Sequence, residues 1–250
     1  MRNLRRDTPR IVRALTSVGL LGAGLALVTH VAFAGVVKGK VSGANKLMNP
    51  VWNEAKEASS NRYTWREPSP TVRAEFRALF AHLPKEVCIA AIGQNPVTPG
   101  NAPIAFRIGG GRTTPVTLVV APGTTIEVQN RDPFLHRPYA VGDGSFQASD
   151  MKGASNRQWK PGPGKHEIRD ELAPSIRSWI VVEPNVTAVA FPNRDGSFQF
   201  GNLPPGEYTL KAYFDGEPVG KPLSVVVKND APMELREPLV LADEKGGEKK

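Results

Sequence analysis

The stretch from Pro115 to Val182 constrains this chain most. It contains PVTLVVAPGTTIEVQNRDPFLHRPYAV and, further on, SIRSWIVVEP. Val116, Leu118 and Val120 alternate with Thr117 and Val119; Pro122-Gly123 turns the chain; Ile126 and Val128 alternate with Glu127 and Gln129. A period of two is that of a strand, not a helix. The segment therefore reads as one half-buried strand, a tight turn and a second strand. Asn130, Asp132 and Pro133 break the second strand and deliver His136 into a polar corner. Gly 24 and Pro 23, spread through 250 residues, leave few helix-period runs. An all-β chain of short strands and turns follows.

The flanking sequence extends this pattern. Val36 to Gly43 alternates and ends in Gly, as a first strand would. Glu86 to Ile92 is a short apolar strand, and Gln94 to Gly111 is a Pro/Gly loop around one strand, Ile104 to Ile108. Gly109-Gly110-Gly111 has no Lys-Ser/Thr after it and opens no helix, so it reads as a flexible connection and not a phosphate loop. Trp159 is placed as a core contact, and His166 and Ile168 begin a strand. Trp179 to Val182 ends the first domain. Beyond Asn185, Val186 to Phe191 is a strand, Asn193-Arg194-Asp195-Gly196 a hairpin-type turn, and Ser197 to Phe200 the returning strand. Tyr208, Leu210 and Ala212 share one strand face, and Lys221 to Lys228 is a further strand. Residues 44–85 interrupt the β pattern with an insertion that is partly helical. Ser69 caps it, Pro70 sits in its first turn, and Val72, Phe76, Leu79 and Phe80 share a face.

Residues 1–34 read as a signal peptide. A basic segment precedes the apolar run ALTSVGLLGAGLALV, and Ala32-Phe33-Ala34 is a small-residue cleavage site. The expected location is therefore periplasmic or extracellular, with membrane contact only through an uncleaved signal peptide. The formal net charge is +8, and about half of it sits in the arginines of this leader. What remains forms no clustered basic stripe with a reading motif, so a nucleic-acid partner is excluded. The single cysteine, Cys88, lies in the apolar run VCIAAI and reads as a buried small hydrophobe. One cysteine makes no disulfide framework.

No Ser-His-Asp order, HExxH pair or framed carboxylate pair is present, so no catalytic residue is assigned and a non-enzyme is expected. The candidate metal-ligating residues are His136 and His166, with Asp132 or Asp170 as oxygen donors should the strands bring them together. Arg137, Tyr139 and Trp159 complete a candidate binding surface at the same loop end. Trp52, Tyr63, Trp65 and Trp159 are the aromatics that a glycan-binding strip would need.

Two phrases carry family resemblances. The segment PGTTIEVQNRDPFLH resembles the strand–turn–strand–histidine segment of cupredoxins, in which His136 falls on the first copper-ligand histidine. DGSFQFGNLPPGEYTLKAY resembles the signature of carboxypeptidase regulatory-like (transthyretin-like) β-sandwiches. The resemblance implies a cupredoxin-like Greek-key β-sandwich over residues 35–183. A small regulatory-like sandwich over 184–228 follows, and a C-terminal strand and charged tail over 229–250. It also implies where further copper ligands would stand before Trp179: the family's Cys, His and Met positions fall on Asp170, Ala173 and Ile176. No Cys, His or Met occurs between Glu167 and Asn185, so a type 1 copper site, which needs a thiolate and two imidazoles, is not expected.

The sequence thus predicts an exported, non-catalytic binding or structural protein with no cofactor, its partner an envelope protein or glycan. The rival readings are a copper-binding or electron-transfer protein and a carbohydrate-binding module.

Overall fold

The computed structural model describes residues 35–47, 81–228 and 232–242. The expected signal peptide, the helix from Ser69 to Phe80, the aromatics Trp52, Tyr63 and Trp65, and the end of the charged tail lie outside the described residues. In chain order the elements are β1 (Gly35–Ser42), a 3-10 turn (Ala44–Lys46), α1 (Leu83–Glu86), β2 (Val87–Ile92), β3 (Ile104–Gly109), β4 (Arg112–Thr114), β5 (Thr117–Val120), β6 (Ile126–Asn130), β7 (Pro138–Ala140) and β8 (Asn156–Trp159). There follow β9 (Gly164–Asp170), β10 (Arg177–Val182), β11 (Val186–Ala190), β12 (Ser197–Leu203), β13 (Gly206–Phe214), β14 (Glu217–Val227), β15 (Met233–Glu234) and β16 (Leu239–Val240). The all-β class is as the alternation predicts.

Four sheets pair into two sandwiches. Sheets β4-β3-β6-β8 and β5-β10-β9-β7 enclose Phe106, Ile108, Leu118, Ile126, Phe146, Ile168 and Ile180. Sheets β11-β2-β13-β14 and β12-β1-β15, with β16 also on β1, enclose Val37, Ile89, Phe198, Phe200, Leu203 and Leu210.

The strand pairing crosses the domain boundary expected at 183/184. β1 is antiparallel to β12, with Val37 opposite Phe200 and Gly39 opposite Phe198. β2 lies between β11 and β13. The two strands before the first sandwich therefore belong to the second, and the first sandwich is inserted between β2 and β11. A local pattern identifies a strand but not its partner. Gly39 does carry a trace of it: a Cβ there would lie 2.6 Å from the Phe198 ring. Two turns also differ from expectation. Pro122-Gly123 turns the chain as predicted, with Gly123 at φ 82°. It leads from β5, which pairs with β10, into β6, which pairs with β3 and β8. Asn193–Gly196 likewise carries the chain from β11 to β12 in the opposite sheet, not back along a hairpin.

β5 is buried on both faces, not half-buried as its alternation suggested. Leu118 and Val120 face the first sandwich's core, while Val119 and Ala121 pack with Cys88, Ala90, Val181, Val186 and Tyr213 in a seam between the sandwiches. The run VCIAAI has the same explanation. Ile89 and Ala91 face one core, and Cys88 and Ala90 face the seam. Cys88 is fully buried, and desolvation pushes its thiol up to about 12, so it is an inert packing residue.

A fragment of residues 184–242 lacks β1 and β2 and leaves Phe200, Leu203 and Leu210 without their facing strands. It is expected to show no cooperative thermal transition by circular dichroism, whereas residues 35–242 unfold cooperatively. A cooperative transition in the fragment would show that the second sandwich does not depend on β1 and β2.

Candidate functional site

The corner that carries His136 is built by Asn130. This side chain ends β6 fully buried. Its amide donates to the carbonyls of Phe134 (2.8 Å) and Met151 (2.9 Å), and its Oδ1 accepts from the Asp132 N–H (2.9 Å). An Asx turn is thereby locked onto the facing loop. His136 then forms an isolated bridge with Met151, N–H to carbonyl in both directions at 3.0 and 2.8 Å. On the other side, Gly153 closes on the turn so tightly that a Cβ there would lie 2.8 Å from the Asp132 carbonyl.

The His136 ring is fully buried between two carboxylates. Its Nδ1 lies 3.2 Å from Asp170 Oδ2 and its Nε2 3.0 Å from Asp132 Oδ2. Ionised carboxylates only accept, so a ring protonated on both nitrogens satisfies both contacts. Asp170, at the end of β9, is the hub. Its Oδ2 also accepts from the Arg137 N–H (2.9 Å), and its Oδ1 accepts from the N–H groups of Leu172 (2.9 Å) and Ala173 (2.8 Å). Asp132 accepts from the Gly110 N–H through both oxygens, at 2.9 and 3.1 Å. That backbone bond, followed by the His136 ring, holds the Asp132 carboxyl below the usual carboxylate range. Gly110 and Gly111, at φ 61° and 73°, form a defined turn between β3 and β4 and not the flexible connection expected of them.

His166 is not brought to His136. It stands four residues from Asp170 on β9, about 13 Å along the strand. Its Nδ1 meets Asp143 Oδ2 (3.1 Å) and its Nε2 meets the Gly162 carbonyl (2.8 Å). Among the described residues no group of His, Cys, Asp and Glu forms a metal-binding cluster. The fit of a copper ion at His136 is decided by the donors. Asp170 stands where the resemblance puts the thiolate, and all four of its lone-pair positions already accept N–H groups. Ala173 offers no side-chain donor, and Ile176 is buried in the core. The residues present do not fit a type 1 copper ion.

The expected binding surface divides. Trp159 is only 4% exposed, stacked on Phe146 at 4.9 Å with its indole N–H on Ser145 Oγ (2.9 Å), so it leaves the surface and stays core. Tyr139 is half-buried opposite Arg169, on the outward side of β7. Arg137 does reach the loop end, paired with Asp150 (2.9 Å) and Glu171 (2.6 Å). Sequence reasoning missed the apolar residues around it: Phe134 is 54% exposed, Leu172 51% and Leu135 37%. Phe134 lies over His136, with ring centroids 5.2 Å apart, and Leu172 is tied to Asp170. Position after a turn-breaking Pro133 was the available signal. A separate cleft of about 510 Å³ is lined by Lys165, Glu183, Lys211, Tyr213 and Glu217. Its charges are already paired, Lys211 with Glu183 (3.0 Å) and Lys165 with Glu217.

No family model matches this chain, and no curated protein matches it. Solved structures do. It is similar to the purple cupredoxin from Nitrosopumilus maritimus, at 15% identity over 32% of this chain and 99% of that one, with a TM-score of 0.29. It is similar to amicyanin from Paracoccus versutus, at 17% identity over 38% of this chain and 97% of that one, with a TM-score of 0.30. The match to a copper-containing nitrite reductase from Thermus scotoductus SA-01 has 20% identity and a TM-score of 0.30. It covers 36% of this chain and spans only 26% of the reductase.

Removing the His136 ring leaves Asp170 buried with one donor fewer, and His136→Ala is expected to cost about 3–5 kcal/mol in denaturant unfolding. Asp132 gives a pH signature. Its folded-state pKa is depressed, so its contribution is present above the unfolded value of about 3.9 and lost as pH falls below it. Asp132→Asn should be less stable at pH 7 and show a shallower loss between pH 5 and 2.5 in urea titrations.

Proposed function

We propose that this chain is an exported, non-catalytic binding module of the cell envelope, built on a cupredoxin-like scaffold whose metal position is filled by protein groups. The observation that carries this reading is Asp170. At the position the resemblance assigns to a copper thiolate stands a carboxylate whose oxygens accept from His136, Arg137, Leu172 and Ala173. These bonds tie the loops of the corner together through protein groups, and what it displays outward is apolar. Phe134, Leu135 and Leu172 stand exposed on a base of satisfied hydrogen bonds. Side chains held on a rigid base lose little entropy on binding. On the segments that surround them, Arg112, Arg131, Arg137 and Lys152 are balanced by Asp132, Asp150, Asp170 and Glu171. The occupant that fits is a protein that presents an apolar contact to Phe134, Leu135 and Leu172. The leader over residues 1–34 supports export. With Trp159 buried, the candidate glycan strip loses one of its four aromatics.

The test has two arms. Residues 35–250, incubated with Cu(II) or Zn(II) and desalted, should retain far less than one metal per chain and show no thiolate-to-copper absorption. Stoichiometric metal lost on His136→Ala would replace this reading with a metal-binding one. A photo-crosslinking residue at Phe134 should give one protein adduct in the envelope fraction, lost on Leu172→Asp. No adduct, or one indifferent to Leu172, would remove the loop end as a docking surface.

A further inference from the structure

One end of the seam holds an acid to which no described residue donates a hydrogen bond. Asp215 and Gly216 form the two-residue turn between β13 and β14, both with positive φ, 51° and 74°. The turn is pressed onto the other sandwich: a Cβ on Gly216 would lie 2.6 Å from the Trp179 ring. Asp215 is 8% exposed, and neither carboxylate oxygen has a hydrogen-bond partner among the described residues. An ionised carboxylate buried without donors is costly, and the neutral acid much less so.

We propose that Asp215 is a proton-operated latch on the seam: neutral, it seats the β13–β14 turn against Trp179, and ionised, it drives the turn outward. The charged groups facing it come from two elements. Glu86, at the end of α1, adds a like charge, and Arg177 on β10 adds an opposite one. Arg177 is shared with Glu167 on β9, at 2.9 Å. The Thr117 hydroxyl on β5, also fully buried and without a partner among the described residues, offers no charge. Further down the seam, burial keeps Cys88 and Tyr213 neutral. Desolvation first, then Glu86, pushes the Asp215 carboxyl up to about 7, with Arg177 pulling the other way.

The sign follows from a folded-state value raised above the unfolded one. The contribution of Asp215 is complete below about pH 4 and is lost as pH rises through about 7. Gly216 and Glu217 also line the 510 Å³ cleft, so release of the turn widens that cleft.

Hydrogen exchange of the seam amides Cys88, Ala90 and Tyr213 tests the latch, corrected for intrinsic pH dependence. From pH 6 to pH 8 the opening equilibrium in the wild-type chain should rise about tenfold, the factor that one proton bound near pH 7 supplies. Asp215→Asn should abolish the rise. Asn-Gly is a favoured pair for a turn with two positive φ values, so this variant retains the backbone geometry. Flat exchange in the wild type, or an unchanged slope in Asp215→Asn, overturns the proposal. So does protection restored at pH 8 by calcium in the wild type alone, which would put a metal ion where the proton is placed. Should the variant fail to fold, carbon-13 NMR of the Asp215 carboxyl in the wild-type chain decides: titration near 7 supports the latch, and titration below about 5 overturns it.

Discussion

The seam between β2 and β13 on one side and β5 and β10 on the other is the contact on which the rest depends. It is made of small and branched residues, Cys88, Ala90, Val119, Ala121 and Val181, closed by Tyr213. Small residues let two sheets approach closely, and both faces of β2 and β5 are thereby removed from water. The seam also makes the insertion possible. The chain leaves the second sandwich at Ile92 and re-enters it at Val186, and these two residues are register partners. The Gly93 N–H donates to the Asn185 carbonyl at 2.9 Å. An insert whose ends are neighbours interrupts its host sheet at little cost.

At the far end of the inserted sandwich the governing interaction is different. A corner that brings a turn, a strand end and a loop together needs a centre with several directional bonds. A metal ion is one such centre, and a carboxylate with four acceptor positions is another. Asp170 binds His136, Arg137, Leu172 and Ala173, and so joins the loop after β6 to the loop after β9. His136 extends the joint to Asp132, and Asp132 extends it to Gly110 in the turn after β3. The chain of bonds Gly110–Asp132–His136–Asp170–Ala173 crosses the top of the sandwich from one sheet to the other.

What the sequence revealed depends on the range of the interaction. Strands came from alternation, because which face a side chain takes is set within a few residues. The turns at Pro122-Gly123 and Asn193–Gly196 were legible for the same reason. Their partners were not, because pairing is fixed by packing across distant segments. Thus β1, more than 150 residues from β12, was assigned to the wrong sandwich. VCIAAI and TLVVA carried a readable clue. A continuous apolar run marks a strand covered on both sides, and in both segments the second cover is the seam. At the site, His136 and the oxygen donors Asp132 and Asp170 were identified by residue type. The spatial relation was not, so His166, four residues along the same strand as Asp170, was counted as a partner. Asp215 could not be singled out, since Asp-Gly in a turn is ordinarily exposed.

The His136 corner and the Asp215 turn handle buried polarity in opposite ways. Around His136 every ionisable group has its partner, and such networks gain rigidity because each bond strengthens its neighbours. Around Trp179 the Asp215 carboxylate and the Thr117 hydroxyl have none among the described residues. Polar groups buried without partners are expensive, and each calls for a physical account. The satisfied end is fit to present a fixed surface, because moving it breaks those bonds. The unsatisfied end is fit to move, because any motion that lets water reach Asp215 recovers hydration energy. The proposed binding face on the first and the proposed yielding joint on the second rest on one physical difference: where the hydrogen bonds have been completed.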